Sequence, residues 1–258
     1  MRSLTMTANG KDRKMNISEE EKLMYQVMKA IYDSGIPMEF KGSMVLRACL
    51  MEAGYLDDIR HTVDIDANWY SESAPTAEQM TDSIQKVLRQ NNINLDVRIY
   101  RMYGDNRSAG FELFDPQTGE VIFSMDVDVN RPTQLSKMYQ VGGIRFRGIT
   151  PYQMIADKIS VVSTEKVFRR IKDVVDLYYL SKVFELDVDK LSEAFSASKR
   201  QIGNFDGFLH SLPELQHAYD KFRFDGNVDK PPFEEVYRSV KTFIKDILPR
   251  ERDLDMER

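Results

Sequence analysis

The spacing of apolar residues changes once along this chain, and that change limits the folds open to it. Up to about residue 149, short runs of strand-like alternation are mixed with amphipathic helices, whereas from Thr150 to Leu248 only helical spacing remains. Thr150 and Pro151 mark the switch: a hydroxyl suited to capping a helix precedes a proline at the first helical position, where its missing N–H costs nothing. The pattern predicts an α+β chain, with a mixed β-sheet and flanking helices over 18–149 and an all-helical region over 150–248. Residues 1–17 are expected to form a flexible N-terminus and 249–258 a charged tail. At 258 residues and 42% hydrophobic content, both parts can bury a core.

Local signals give the order of elements. Ser18 and Glu21 form a capping box before an apolar stripe of Leu23, Met24, Val27, Met28 and Ile31, and Gly35 and Pro37 end that helix. A short strand over 38–40 leads into Lys41-Gly42-Ser43, after which Val45, Leu46, Cys49 and Leu50 predict a helix stopping near Gly54. HTVDIDANW, residues 61–69, reads as a strand, and Thr76 with Gln79 caps a helix to about Gln90. Leu95, Val97 and Ile99 alternate, 111–114 follows, and a DPQTGE turn leads into VIFSMDVDV, giving three strands in a meander. Gly142-Gly143 reads as a turn at a strand end.

Composition narrows the chemistry. The single cysteine, Cys49, excludes an internal disulfide, and three scattered histidines, His61, His210 and His217, cannot make a Cys/His zinc site with it. Any metal must then be held mainly by carboxylates. No stretch is long and apolar enough to span a membrane and the N-terminus has no apolar leader core, so the expected location is the cytoplasm. A net charge of −5 gives no global basic footprint, so nucleic acid would need a local patch. The densest basic segments are Arg145 and Arg147, and then Lys166, Arg169, Arg170 and Lys172.

The segment 41–66 carries the most chemistry. On a strand, Asp64 and Asp66 project from one face while Val63 and Ile65 point to the other. Two like charges placed side by side call for a cation, and oxygen ligands of this kind suit magnesium or manganese. Gly42-Ser43, between a strand and a helix start, lets backbone N–H groups approach a phosphate. Asp126 and Asp128 share a face of a later strand. If that strand neighbours the first, three carboxylates converge, as a two-metal phosphoryl-transfer site requires with ions about 3.5–4 Å apart. Asp128 is favoured as the third carboxylate, with Asp126 the alternative. Lys158 lies on a helix among Met154, Ile155, Ile159 and Val162, where a lysine could hold a triphosphate as a compact charge. The pairs Arg169/Asp173 and Lys172/Asp176 are four apart, so ion pairs on a helix surface would account for them without catalysis.

Together, Gly42-Ser43, a helix, Asp64-Ile65-Asp66 on a strand and a later carboxylate resemble the site of the DNA polymerase beta-like nucleotidyltransferases. The longer spacing from Ser43 to Asp64 is similar to the AbiEii/AbiGii toxin branch, where a helix and an Arg-x-x-x-Asp-x-Asp stretch follow the glycine turn; here that stretch runs from Arg60 to Asp66. Ala156-Asp157-Lys158 and Arg170-Ile171-Lys172-Asp173 with Asp176-Leu177-Tyr178 resemble later segments of the same branch, so the likeness covers about residues 38–184. Gly-Ser replaces the Gly-Gly of many relatives. The resemblance implies a nucleotidyltransferase-like sheet and transfer of NMP from an NTP to an acceptor hydroxyl, notably an RNA 3′ end such as that of tRNA. It implies catalytic roles for Asp64, Asp66, Asp128, Lys158 and Asp173, with magnesium or manganese on Asp64, Asp66 and Asp128 (or Asp126). Gly42, Ser43 and Lys158 would bind the nucleotide, Arg169 and Arg170 would contact RNA, and a cognate antitoxin would neutralise the toxin. Two rival readings are nucleotidylation of a small molecule such as an aminoglycoside, which the acidic net charge suits, and a non-catalytic nucleotide-, RNA- or protein-binding relative.

Overall fold

The computed structural model describes residues 17–55, 62, 64–224 and 229–249. These form two compact units that meet in sequence between Thr150 and Pro151. Most of the 1–17 segment, Arg60, His61 and Val63 of the first acidic stretch, and nearly all of the 249–258 tail lie outside the described residues.

The first unit opens with α1 (Glu19–Asp33), and its capping box is made: the Ser18 hydroxyl accepts from the Glu21 amide at 3.1 Å while Glu21 Oε2 accepts from the Ser18 amide at 3.2 Å. Glu21 does more than cap. It is 1% exposed and meets the Arg47 guanidinium of α2 (Gly42–Glu52) at 3.1 Å, so one buried carboxylate both ends α1 and ties it to α2. The Tyr25 hydroxyl donates to the Met44 carbonyl at 3.1 Å beside that pair. A second capping box, Thr76 with Gln79, opens α3 (Ala77–Gln90) as expected.

Seven strands form one sheet: β1 (Met38–Lys41), β2 (Asp64–Trp69), β3 (Asp96–Tyr103), β4 (Ser108–Phe114), β5 (Val121–Val129), β6 (Ser136–Val141) and β7 (Ile144–Ile149). Their order is β3-β4-β5-β2-β1-β7-β6. β3, β4 and β5 make the antiparallel meander, β2 runs parallel to β5, and β1 parallel to β7, so the sheet is mixed. One face carries the core: Ile65, Ala67, Met125, Val127 and Phe111 are at least 98% buried. Phe146 is packed by Tyr25 at 5.7 Å, Tyr139 at 5.7 Å and, edge-on, by Phe40 at 6.0 Å between ring centroids. Cys49 lies in this interior, where burial pushes its thiol up to about 12, as expected of a packing residue.

Three features escaped the sequence reading. β6 pairs with β7 as a hairpin through Gly142-Gly143, but SKMYQV is too short and polar to announce a strand. A single helical turn, α4 (Gly104–Arg107), joins β3 to β4. β3 also contains a bulge between Ile99 and Arg101, which pure alternation hides.

The second unit is helical throughout its described residues: α5 (Pro151–Val162), a 3-10 turn (Val167–Arg170), α6 (Ile171–Ser181), α7 (Val188–Ser198), α8 (Asp206–His210), α9 (Leu212–Lys221), α10 (Phe233–Phe243) and a 3-10 turn (Lys245–Ile247). α5 packs on α6 and α7, and α6 on α10. Ile155, Ile159, Leu180, Phe208, Leu215, Val236 and Val240 are fully buried between them. Arg169 and Arg170 sit in the 3-10 turn ahead of α6, which corrects their expected place on that helix.

The Glu21–Arg47 pair gives a direct test. Arg47→Met leaves a buried carboxylate without its guanidinium and is expected to cost about 3–5 kcal/mol in urea unfolding, against about 1 kcal/mol for loss of the cap in Ser18→Ala.

Candidate active site

The polar face of the sheet is built by register. Lys41 on β1 pairs with Asp66 on β2, Asp66 with Asp126 on β5, Asp126 with Gly110 on β4, and Gly110 with Arg101 on β3. Residues opposite one another across strands point to the same face, so a single row crosses five strands with two adjacent carboxylates at its centre and a cation toward each end. One step along the strands, Asn68 pairs with Asp128, and one step the other way Asp64 pairs with Ser124. Asp64, Asp66, Asp126 and Asp128 therefore share one face, and the cross-strand neighbour of Asp66 is Asp126.

Each carboxylate has its own partners. The Thr62 hydroxyl donates to Asp64. Asp126 receives Arg101 and, at 3.2 Å, the Tyr100 hydroxyl. Asp128 receives Lys41 at 2.6 Å and Arg131 at 3.1 Å, while Lys41 also donates to Asn68 Oδ1 at 2.7 Å. Burial pushes the Asp128 carboxyl up, but Lys41 and Arg131 outweigh it and hold the group below its ordinary value. The half-buried Tyr103 phenol is pushed above its ordinary value by burial first and then by Asp128, Asp126 and Asp66, against the opposing pull of Arg101. One hydroxyl thus feels three of the four carboxylates.

Gly42 closes the site on the β1 side. Its φ is +70°, and a Cβ there would lie 2.0 Å from Asp66 Oδ2 and 2.8 Å from its Cγ, so both conformation and space demand glycine. α2 begins at this residue, its N-cap Lys41 supplies no side-chain cap, and its first turn carries no acid. Ser43, the expected phosphate donor, is 3% exposed. Among the described residues no group of three or more His, Cys, Asp or Glu side chains is arranged to hold a metal ion. The donor chemistry nevertheless fits a hard divalent cation, since two carboxylates lie in register and a third and fourth sit one step away on the same face.

In the second unit, Lys158 is 8% exposed and donates to Asp176 at 2.6 Å and Asp173 at 3.2 Å, and Arg170 reaches the second oxygen of Asp173 at 3.1 Å. Burial works against the Lys158 charge, but Asp176 and Asp173 prevail and raise its pKa. Instead of the i,i+4 surface pair with Arg169 that the spacing also allowed, Asp173 joins this cluster with Lys158, Asp176 and Arg170, because the 3-10 turn brings Arg170 to the start of α6. Arg169 is exposed, its guanidinium 5.9 Å from the Phe168 ring.

A family model described as the nucleotidyl transferase AbiEii toxin of type IV toxin–antitoxin systems matches residues 26–253, spanning both units. The chain belongs to the AbiEii nucleotidyltransferase toxin family. It is therefore a nucleotidyltransferase, and membership brings an NTP substrate and an antitoxin partner with it. No curated protein matches the chain. Among solved structures, the nucleotidyltransferase toxin MenT4 from Mycobacterium tuberculosis is similar in fold, with a TM-score of 0.57 at 14% identity over 92% of this chain and 85% of that one. An antigenic nucleotidyltransferase-like protein from Paracoccidioides brasiliensis matches at a TM-score of 0.45 and 14% identity over 79% of this chain and 93% of that one. The described residues contain no helix long and apolar enough to cross a membrane.

Sequence reading of this AbiEii-family chain missed Lys41, Asn68, Tyr100, Arg101 and Arg131. Only Lys41 carried a usable signal, since it precedes the Gly-Ser turn at a strand end.

Two measurements test the geometry. Gly42→Ala is expected to cost more stability in the wild-type background than in Asp66→Ala, with a coupling on the order of 1–3 kcal/mol, because the second change removes the Oδ2 and Cγ atoms that the new Cβ meets most closely and leaves only the Cβ of residue 66. Lys158→Met removes the buried ammonium that Asp173 and Asp176 share and should destabilise by about 3–5 kcal/mol at neutral pH. Because the folded-state pKa of Lys158 is raised, its stabilisation is full below roughly pH 10 and falls as pH rises toward the folded value. The gap between wild type and Lys158→Met should therefore narrow in alkaline urea titrations.

Proposed function

We propose that this chain transfers NMP from an NTP to a hydroxyl at an RNA 3′ end, notably that of tRNA, with the β2 and β5 carboxylates as its chemical centre. The observation that carries the reading is the in-register pair of Asp66 and Asp126. Two anions on neighbouring strands are unfavourable unless cations attend them, and Lys41 and Arg101 hold that place in the row. Asp64, Asp66 and Asp126 would hold magnesium or manganese. Bound there, the ions would neutralise charge on the triphosphate and lower the pKa of the attacking hydroxyl.

The protein's own contribution is positioning. Gly42 has no side chain, so the Asp66 carboxylate lies against the start of α2, where backbone amides could meet a phosphate, with Ser43 in the same turn. Asp128 is reassigned from third ligand to positioning residue: it fixes the Lys41 ammonium, which also holds Asn68, on the face that Asp66 shares. In the second unit, Lys158 and Asp173 are assigned a shared role with Asp176. The lysine is kept charged by both carboxylates and would serve the triphosphate by exchanging one of them for a phosphate oxygen. Arg169, exposed, and Arg170, fixed by Asp173, are the proposed RNA contacts, with the antitoxin as the neutralising partner in the cytoplasm.

Incubation with each α-labelled NTP, magnesium and total RNA should label RNA. Asp64→Asn, Asp66→Asn and Asp126→Asn should each reduce labelling by at least about a hundredfold, while Asp128→Asn retains more activity than any of them. Equal loss in Asp126→Asn and Asp128→Asn would return the third position to open choice, and label appearing only in small molecules would replace RNA with a small acceptor.

A further inference from the structure

The bulge in β3 changes which side chains face the carboxylates. Ile99 pairs with Phe111 and Arg101 with Gly110, so Tyr100 is the extra residue between them. In a regular strand only one of Tyr100 and Arg101 would face the carboxylates. The added residue puts both there, and Tyr103, two positions on from Arg101, shares that face. Gly110 makes the room: a Cβ on it would lie 2.5 Å from Tyr100 Cε1 and 2.7 Å from Asp126 Oδ1, so the tyrosine ring lies across the gap that the glycine leaves in the row.

The ring is held but not covered. Its hydroxyl donates to Asp126 at 3.2 Å, yet the residue remains 43% exposed, on an edge strand whose neighbours on the apolar face, Leu95 and Val97, are buried. The Arg101 guanidinium, with 52% of its side chain exposed, lies 5.1 Å from the Tyr100 centroid and 5.4 Å from that of Tyr103. A fixed aromatic face interleaved with a guanidinium stacks well on flat π-systems, and the row it belongs to leads directly to Asp126 and Asp66.

We propose that Tyr100, with Arg101 and Tyr103, forms a stacking platform for a nucleobase beside the Asp66–Asp126 pair. The assignment deepens the transferase reading and rests on it for its purpose. The base belongs either to the incoming NTP or to the acceptor RNA's terminal nucleotide, and the shared chemistry is a purine or pyrimidine ring stacked on tyrosine.

Equilibrium binding to the full chain, measured without turnover, tests it. The probes are each NTP, inorganic triphosphate as a baseless control, and a short RNA compared with the same RNA lacking its 3′-terminal base. Tyr100→Leu and Tyr100→Ala should weaken binding of the base-bearing probe by roughly tenfold or more and leave the baseless probe unchanged. Tyr100→Phe, which loses only the hydroxyl bond to Asp126, should bind as wild type does. Tyr100→Trp should retain binding and show fluorescence quenching by the base. A loss confined to NTP assigns the platform to the incoming nucleotide; a loss confined to RNA assigns it to the acceptor. If Tyr100→Leu, still folded by circular dichroism, binds both base-bearing probes as tightly as wild type, the platform is overturned. Should wild type transfer no nucleotide while base-dependent binding still falls in Tyr100→Leu, the platform stands and the transferase reading fails.

Discussion

Two carboxylates on adjacent parallel strands, Asp66 and Asp126, set the terms for the first unit. Neighbouring strands lie about 4.8 Å apart, so the repulsion between the two charges is built into the register and cannot be escaped by a change of rotamer alone. The sheet answers with a lysine on one side and an arginine beyond a glycine on the other. Gly110 matters here because a side chain would collide with the Tyr100 ring and Asp126, and Gly42 matters because a side chain would collide with Asp66. The glycines and cations are thus consequences of one electrostatic fact, and the strand order brings them together.

The opposite face makes that arrangement affordable. Alternation along β2 and β5 buries Ile65, Ala67, Met125 and Val127 while leaving the acids half-buried on the other face, so hydrophobic burial fixes the register and the register fixes the charges. Shifting either strand by one residue would drive aspartates into a core of phenylalanine and methionine. In the second unit the charge problem is solved differently. Lys158 is taken out of water but meets two carboxylates, one of which is shared with Arg170, so the buried group is close to neutral as a whole.

What could be read from the sequence follows from the range of the signals. Both capping boxes were legible because all their atoms lie within four residues, and the common face of Asp64 and Asp66 because alternation is local. The partner of Asp66 was not. Asp126 and Asp128 lie on the same face of the same strand, and only cross-strand register, a non-local property, separates them. The bulge at Tyr100 was hidden for a similar reason, since RIYRMY alternates poorly without saying where the extra residue falls. The buried partners of Lys158 were half visible: its apolar neighbours announced burial, but the route from α5 to α6 through a 3-10 turn did not show in the pattern. Family resemblance drew on Arg60, outside the described residues, and on spacing, and therefore identified the branch more readily than it could identify the geometry.

Glu21 links the first turn of α1 mechanically to α2. Helix ends ordinarily open first, because their outer amides are bound by little more than solvent. In α1 the carboxylate that holds the first amide also holds Arg47, and Tyr25, four residues on, is anchored to the start of α2 through the Met44 carbonyl. Releasing the first turn of α1 therefore strands a guanidinium in the interior and loosens the helix that begins at Gly42. The N-terminal end of α2 is in this way coupled to the first turn of the preceding helix, and slow amide exchange there should be inherited from α1 rather than from its own short length.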